Sequence, residues 1–223
     1  MAVTYDTSKI NQGSPFSLTV ANQPDRILLV STINQTGGSP ATAVTYAGVS
    51  MTRLDSSAYG PTGDFDTWYL LAPATGANNV AVTGGGAMNI NAYSYYGVNQ
   101  VVPEDHKFTT GTGNSPSGSI TTITANAVVW ASYGEDSTGT RTVSYGTNMG
   151  NNRNPANSTN ISGVAGNAQA DSGAIASPGA TTSALSISGG GTLNGSWALA
   201  QVVLAPVATG PLNIKSVMGV SAI

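Results

Sequence analysis

Residues 27–33 read Ile27-Leu28-Leu29-Val30-Ser31-Thr32-Ile33, an apolar run with the length of a β-strand. Two more blocks follow in the first half of the chain, Val44–Met51 and Val80–Gly86, and the second leads into Met88-Asn89-Ile90. About 100 residues later three similar blocks return in the same order, Ala127–Tyr133, Val143–Met149, and Leu185–Gly191 with Leu193-Asn194. Blocks that recur in one order at a nearly constant distance predict an internal structural repeat.

Each half of the chain has few large apolar side chains with which to build a core of its own. We therefore expect two related halves that pack face to face as one antiparallel, jelly-roll-like β-sandwich. In that arrangement Trp130 lies on the strand equivalent to residues 27–33. The triple glycines Gly84–Gly86 and Gly189–Gly191 are then turns in matching places.

The composition favours an all-β protein. Of the 223 residues, 40% are hydrophobic and 8% charged, with 28 glycines and 11 prolines. Ordinary soluble domains carry about 25% charged residues, so the polar surface here consists of Ser, Thr, Asn and Gln. Ser, Thr and Asn disfavour helices and favour turns. We expect one sandwich domain over residues 1–207 and a short extended C-terminal peptide over residues 208–223.

Short apolar or alternating runs recur between clusters of Gly, Pro, Asn and Ser, as in an antiparallel sandwich. In the first half they predict strands at Phe16–Val20, Arg26–Ile33, Ala43–Tyr46, Val49–Leu54, Asp66–Leu71, Asn79–Thr83 and Met88–Tyr95. In the second half they predict strands at Ser119–Ile123, Ala127–Tyr133, Thr140–Tyr145, Ser183–Ile187 and Trp197–Leu204. Ala47-Gly48 predicts a tight hairpin turn, because glycine adopts a positive φ without a Cβ clash.

Charge and cysteine content exclude several classes of function. The net charge is −3 and the seven Lys and Arg residues are scattered, whereas nucleic-acid binding needs clustered positive charge. The chain has no cysteine, which excludes disulfide and thiolate chemistry. No apolar stretch reaches the roughly 20 residues that span a bilayer, and the amino terminus does not resemble a secretory signal. We expect synthesis in the cytoplasm without classical export, and neither a nucleic-acid nor a membrane partner.

Two features have both a structural and a functional interpretation. Trp68, Trp130 and Trp197 each lie within a strand-like run, where they either form a platform for stacking sugars or, as we favour, fill the core. Residues 146–179 are rich in Asn and poor in large apolar side chains. That composition predicts a long surface excursion with a strand near Val164–Ala170.

The candidate catalytic residues do not form a recognisable motif. His106 is the only histidine, and without a Gly-x-Ser-x-Gly elbow we interpret it as a solvated loop residue rather than a member of a Ser-His-Asp triad. One histidine and no cysteine leave no usual zinc site. No two carboxylates stand out as a glycosidase pair, and the triple glycines lack the Lys-Ser or Lys-Thr of a phosphate-binding loop. We assign no catalytic residue and no cofactor.

Asp64 and Asp66 are the acidic residues whose spacing allows a metal site. Asp64 and Asp66 alternate across Phe65, so both carboxylates point to one face of a strand. That spacing fits either a calcium site or a polar strand edge, and we favour the strand edge. Glu135-Asp136 follows the end of a predicted strand and predicts a turn. We assign no metal ligand.

The first half resembles a β-sandwich module of bacteriophage virion proteins and bacterial surface proteins. The resemblance rests on Arg26–Val30, Val44–Gly48 and Thr67–Pro73, and continues through Asn78–Thr83 and Tyr96–Gln100. It covers roughly residues 26 to 206, consists mainly of strand and turn signals, and brings no catalytic residues with it. It implies a β-sandwich on the surface of a virion or a cell.

The end of the chain resembles a short element that is often repeated near the ends of phage structural proteins. Leu212–Val220 matches it once, with Met218 in place of an expected asparagine. The segment is too apolar for a free end, and as an extended peptide it can add a strand to a sheet edge of a neighbouring copy. We predict an assembly element within a homotrimer, formed by Leu212, Ile214, Val217, Val220 and Ile223. The alternative is that the segment folds back on its own domain.

The two resemblances, together with the lack of a recognisable catalytic motif, imply a non-enzymatic bacteriophage structural protein that decorates the capsid at the particle surface. Its partners are then other virion proteins of the capsid or tail, and further copies of itself. The first alternative is a tail adhesin that recognises a host surface glycan, and the second is a glycan-degrading hydrolase or lyase. The expected location is the virion, after synthesis in the host cytoplasm.

Overall fold

The computed structural model describes residues 1–34, 39–59, 63–86, 88–135, 142–153, 166–188 and 196–208. The described residues form antiparallel strands and no helix. The strands of the first half are β1 (Thr4–Gln12), β2 (Phe16–Val20), β3 (Ile27–Asn34), β4 (Ala41–Tyr46), β5 (Val49–Ser50), β6 (Thr52–Tyr59), β7 (Gly63–Leu71), β8 (Gly76–Gly84) and β9 (Met88–Tyr96). Those of the second half are β10 (Asp105–Thr112), β11 (Ser117–Thr122), β12 (Ala127–Glu135), β13 (Thr142–Tyr145), β14 (Asn151–Asn152), β15 (Gly166–Ile175), β16 (Gly179–Ser188) and β17 (Ser196–Leu204). The predicted all-β, antiparallel sandwich is confirmed.

The two halves share one topology. The first half has a five-stranded sheet in the order β1-β9-β3-β7-β6 and a four-stranded sheet in the order β2-β8-β4-β5. The second half has a five-stranded sheet in the order β10-β17-β12-β15-β14 and a three-stranded sheet in the order β11-β16-β13. Apart from the two-residue β5, each strand has a counterpart in the same place. The predicted internal repeat is confirmed, and Trp130 lies on β12, the counterpart of β3.

Each half is a two-layer sandwich with its own core. In the first half Leu28 of β3 packs with Leu18 and Val44 of the four-stranded sheet. In the second half Leu199 of β17 packs with Leu185 of the three-stranded sheet. The expectation that a half lacks the side chains for a core of its own is therefore wrong. Strands alternate their side chains between two faces, so a modest number of apolar residues is enough to fill one inner layer.

The two five-stranded sheets pack face to face, so the molecule has four layers rather than the expected two. The core between these sheets contains Ile27 and Leu29 of β3, Tyr93 of β9, Trp130 of β12 and Val202 of β17. Both central strands, β3 and β12, are buried along their whole length. A strand covered on both faces needs apolar side chains in both directions, which explains the continuous apolar run at residues 27–33.

Contacts across this middle layer relate the halves by an approximate two-fold axis. On β3, Leu29 and Ser31 face the other half, and on β12, Trp130 and Ser132 face back. When the last residues of the two strands, Asn34 and Glu135, are aligned, equivalent positions are 101 residues apart, one more than the first pair of sequence blocks suggests. Ser31 and Ser132, which are equivalent to each other, hydrogen-bond through their Oγ atoms at 3.1 Å. Contact between a residue and its own counterpart marks the axis of an isologous interface.

Two further contacts have the same symmetry. Ile33 touches its counterpart Gly134 so closely that a Cβ at Gly134 would lie 3.0 Å from the Ile33 side chain. The segments that follow β9 and β17 pair antiparallel at Val98 and Pro206, where Val207 N donates to Gly97 O at 3.0 Å. The two halves are therefore arranged like the subunits of a closed dimer joined in one chain.

All three tryptophans are buried. Trp68 lies in the first-half core, Trp130 between the halves and Trp197 in the second-half core. The favoured interpretation of these residues as core is confirmed. A stacking platform for sugars requires an exposed ring face, which none of the three presents.

Replacing Trp197 by alanine is expected to lower the free energy of unfolding by about 3–5 kcal/mol, as for other buried large aromatic side chains. The side chain is 6% exposed and fills the space beside Gly111, where a Cβ would come within 2.5 Å of the indole. Urea unfolding followed by circular dichroism measures the change. An unchanged midpoint with a loss of glycan binding would instead make Trp197 a surface ligand residue.

Several predicted strands have different bounds. Residues 166–175 form β15 inside the second five-stranded sheet, with Ala168–Asp171 buried, and so do not belong to a surface excursion. Small side chains in this strand allow close packing on both faces, which the polar composition did not reveal. The predicted strand Val49–Leu54 is divided between β5 and β6. Residues 154–165 lie outside the described residues.

The predicted turns that contain glycine agree with the structure where it describes them, and the predicted turn at Glu135 does not. Ala47-Gly48 joins β4 to β5 with positive φ angles of 51° and 78°. All three residues of Gly84–Gly86 also have positive φ angles between β8 and the start of β9. Gly189–Gly191 lie between β16 and β17 in the chain but outside the described residues. Glu135, expected in a turn, is the last residue of β12 and is buried, with its Oε2 accepting a 2.7 Å hydrogen bond from Tyr133.

Candidate functional site

Two groups of charged side chains lie at opposite edges of the layer between the halves. One joins Asp55 of β6 to His106 of β10. The other joins Asp171 of β15 and Arg153, which follows β14, to Tyr5 of β1. Because β6 corresponds to β14 and β10 to β1, the two groups occupy equivalent places in the repeat. Of these residues only His106 is a candidate from the sequence, because the other members are far apart in the chain and belong to no motif.

Asp171 is the central acceptor of the second group. Its carboxylate accepts hydrogen bonds from Tyr95 Oη at 2.9 Å, Asn151 Nδ2 at 2.7 Å, Arg153 Nε at 2.5 Å and the backbone N–H of Gly173 at 3.0 Å. The Asp171 side chain is only 1% exposed. A buried carboxylate is tolerated when it is paired and fully hydrogen-bonded, so these four donors make Asp171 a structural residue.

Arg153 and Tyr95 connect Asp171 to the first half. The guanidinium of Arg153 lies over the ring of Tyr5, 4.2 Å from its centroid, in a cation–π contact. Burial, together with the charge of Asp171, raises the pKa of Tyr95 well above its ordinary value, so its hydroxyl remains a donor. A groove of about 330 Å³ beside this group is lined by Tyr5, Ser8 and Arg153. Since Arg153 covers the Tyr5 ring, that ring face is not free to stack on a sugar.

His106 and Asp55 form a half-exposed pair, with His106 Nδ1 2.6 Å from Asp55 Oδ2. His106 lies in β10, not in the loop expected from the sequence, because β10 pairs residue by residue with β17. An imidazole beside a carboxylate makes two members of a hydrolytic triad. Within the described residues no serine or threonine hydroxyl hydrogen-bonds the imidazole. The pair therefore links β10 to β6.

Asp66 and Asp64 lie on β7, and Asp66 has a structural role. Its Oδ2 accepts hydrogen bonds from Thr32 Oγ1 at 3.2 Å and from the backbone N–H of Ala41 at 2.9 Å, and Arg53 lies 4.0 Å from Oδ1. Burial and the charge of Asp66 raise the pKa of Asp64. Among the described residues no three His, Asp or Glu side chains converge as a cation-binding group.

The buried tyrosines predict a loss of stability at high pH. Burial raises the pKa of Tyr145 to about 12, whereas in the unfolded chain the hydroxyl titrates near its ordinary value of 10.0. Between these values the unfolded form has released a proton that the native form retains, so stability falls as the pH rises. Tyr145→Phe is expected to show a smaller loss than wild type when urea unfolding is measured between pH 10 and pH 12.

The stability of Tyr145→Phe at neutral pH serves as the control. Tyr145 Oη has no hydrogen-bond partner within the described residues, so removing it is not expected to cost stability at neutral pH. Equal pH dependence in wild type and variant would contradict the assignment of a raised pKa to Tyr145.

Two adjoining grooves lie at one end of the molecule, where the chain passes from the first half to the second. The larger, of about 450 Å³, is lined by residues of the amino terminus, the β11–β12 turn and the segment after β17, including Met1, Asn126 and Ala208. The smaller, of about 310 Å³, is lined by the β9–β10 connection and Ile123. Asn99 and Thr124 line both. We call this pair the end grooves.

The predicted assembly residues lie beyond the last described residue, Ala208, so their role stays a prediction: Leu212, Ile214, Val217, Val220 and Ile223. Within the described residues there is no helix long and apolar enough to cross a membrane. No protein-family model, curated protein or solved structure matches this chain.

Proposed function

We propose that the protein is a non-enzymatic structural protein that decorates the capsid surface of a bacteriophage. Its partners are other virion proteins and further copies of itself, joined through the C-terminal segment. The proposal begins from the resemblance of residues 26–206 to a virion β-sandwich module. It also rests on the packing and charge of the described residues.

The observation that supports the proposal most is the continuous core through four layers. Trp130 packs against Tyr93 across the halves, with ring centroids 5.7 Å apart and ring planes tilted by 52°, and Phe65 packs edge-on against Phe108 at 5.0 Å. These contacts join the two sandwiches rigidly, because separating them would expose apolar surface to water. A single rigid body suits a protein whose task is to cover and brace a particle.

The charged groups also favour a structural role. Asp171 and Asp66 are both nearly inaccessible and are hydrogen-bonded within the protein. The half-exposed pair of His106 and Asp55 joins one half to the other. Catalytic groups need access to a substrate and a partner poised for proton transfer, and each of these residues instead bridges two strands.

Binding to particles tests the proposal. Particles that lack this gene product are mixed with the purified protein and sedimented, and we expect the protein to sediment with capsids at a fixed number of copies. Tail-less capsids serve as the matched control for the adhesin alternative. Binding to tails alone, with a hit on a glycan array, would support the adhesin. Release of reducing sugar from host glycans would support the enzyme.

A further inference from the structure

The end grooves gather most of the exposed apolar side chains of the described residues. Met1, 48% exposed, lines the larger groove, and Val101, Val102 and Ile123, exposed by 56%, 58% and 72%, line the smaller one. The remaining large apolar side chain of comparable exposure, Val49, is in the β4–β5 hairpin. Isolated apolar residues on a surface need no explanation, but a contiguous apolar patch indicates a binding surface.

The C-terminal segment leaves the described part of the chain at the same end. Ala208 itself lines the larger groove, and fifteen residues follow it. Fully extended, they reach about 50 Å, enough to cross both grooves of an adjacent molecule. The segment presents apolar side chains along its length, and Lys215 is its only charged side chain.

The smaller groove contains a carboxylate of opposite charge. Glu104 Oε1 accepts backbone N–H hydrogen bonds from Ile123 at 2.5 Å and Thr124 at 3.1 Å. Glu104 Oε2 is buried in the free molecule and has no hydrogen-bond partner within the described residues. Because Glu104 is the charged residue in the lining of this groove, a single cation among apolar side chains matches it.

We propose that the end grooves of one copy bind residues 209–223 of a second copy, an inference that rests on the proposed role in a particle-surface assembly. The apolar side chains of the segment cover Val101, Val102 and Ile123, and Lys215 neutralises Glu104. Gly210 precedes Pro211, and a residue before proline favours an extended backbone, as an exchanged segment requires. The segment begins at the end of the molecule that bears the grooves, and exchange between neighbours forms a ring when the rotation between copies closes.

Mixing two variants tests the exchange. Deletion of residues 212–223 removes the donor and leaves the grooves intact, whereas V101S/I123S damages the acceptor and leaves the segment intact. Light scattering after size exclusion is expected to give a trimer for wild type and a monomer for each variant alone. The mixture is expected to form a one-to-one dimer, because one variant donates and the other accepts.

Matched variants separate this contact from general effects of surface changes. Val49→Ser changes a comparably exposed valine in the β4–β5 hairpin, which does not line the grooves. This variant is expected to retain the oligomeric mass of the wild type. Glu104→Lys and Lys215→Glu are each expected to weaken association about tenfold, and the double reversal to restore it. If Glu104→Lys unfolds the β11–β12 turn that it caps, V101S/I123S still tests the acceptor.

Three outcomes would overturn the inference: a monomeric wild type, a wild-type mass in the deletion variant, or a mixture that stays monomeric. A monomeric wild type whose groove residues are protected from hydrogen exchange would place the segment on its own molecule. A wild-type trimer that exchanges segments as described but fails to bind particles would leave the inference standing and contradict the proposed function.

Discussion

Replacing Trp130 by alanine is expected to lower the free energy of unfolding by about 3–5 kcal/mol, as for other fully buried large aromatic side chains. Trp130 is 0% exposed and lies between the two halves, where it packs with Tyr93, Ile27 and Leu29. Its indole Nε1 has no hydrogen-bond partner within the described residues, so the loss is one of packing. Urea unfolding followed by intrinsic fluorescence and circular dichroism measures it.

The number of unfolding transitions is a second test of the packing between the halves. Because the core is shared between the halves, we expect wild type and Trp197→Ala each to unfold in a single transition. Trp130→Ala is the variant most able to separate the halves into two transitions. Val49→Ala, in an exposed hairpin, is the matched control with an expected change within about 0.5 kcal/mol. A Trp130→Ala midpoint equal to wild type would contradict the four-layer packing.

Replacing Asp171 by alanine is expected to cost about 3–5 kcal/mol, the usual penalty for breaking a buried ion pair from one side. The change leaves the Tyr95 hydroxyl and the Arg153 guanidinium without their acceptor. Since the Arg153 side chain is 23% exposed and can turn partly toward water, the lower end of that range is expected. Urea unfolding at neutral pH provides the measurement.

A double-mutant cycle measures the interaction energy between Asp171 and Arg153. Asp171→Ala combined with Arg153→Ala is expected to cost less than the sum of the two single changes, because the second change removes the charge that the first leaves unpaired. Asp171→Asn retains the shape of the side chain, and its free energy of unfolding is expected to lie between those of wild type and Asp171→Ala. Strict additivity, or a loss below about 1 kcal/mol for Asp171→Ala, would show that the network contributes little.

The central strands β3 and β12 could be predicted from the sequence, and the edge strands β1 and β10 of the five-stranded sheets could not. β3 and β12 are apolar on both faces because both faces are covered. β1 and β10 are counterparts at the sheet edges, and most of their side chains are only half-buried. Phe108 is the only large apolar side chain of β10, so the strand has no alternation to detect. Both edge strands depend on pairing with β9 and β17, which local sequence does not encode.

The four-layer arrangement and the hydrogen bonds of Asp171 could not be predicted from the sequence, because both depend on which distant elements meet. A continuous apolar run shows that both faces of a strand are covered, but it does not show which element covers each face. Asp171 meets Tyr95 from 76 residues away. Nothing near either residue in the chain marks them as partners. The internal repeat was detectable because it depends on order and spacing along the chain, which sequence displays directly.

Electron cryomicroscopy of particles with and without this gene product tests the functional proposal most directly. The difference map should show density on the outer surface of the capsid, into which the two stacked sandwiches fit as one body. Neighbouring copies should meet at the ends that bear Val101 and Ile123. Difference density confined to the tail, or no difference between the two particles, would contradict a role in capsid decoration.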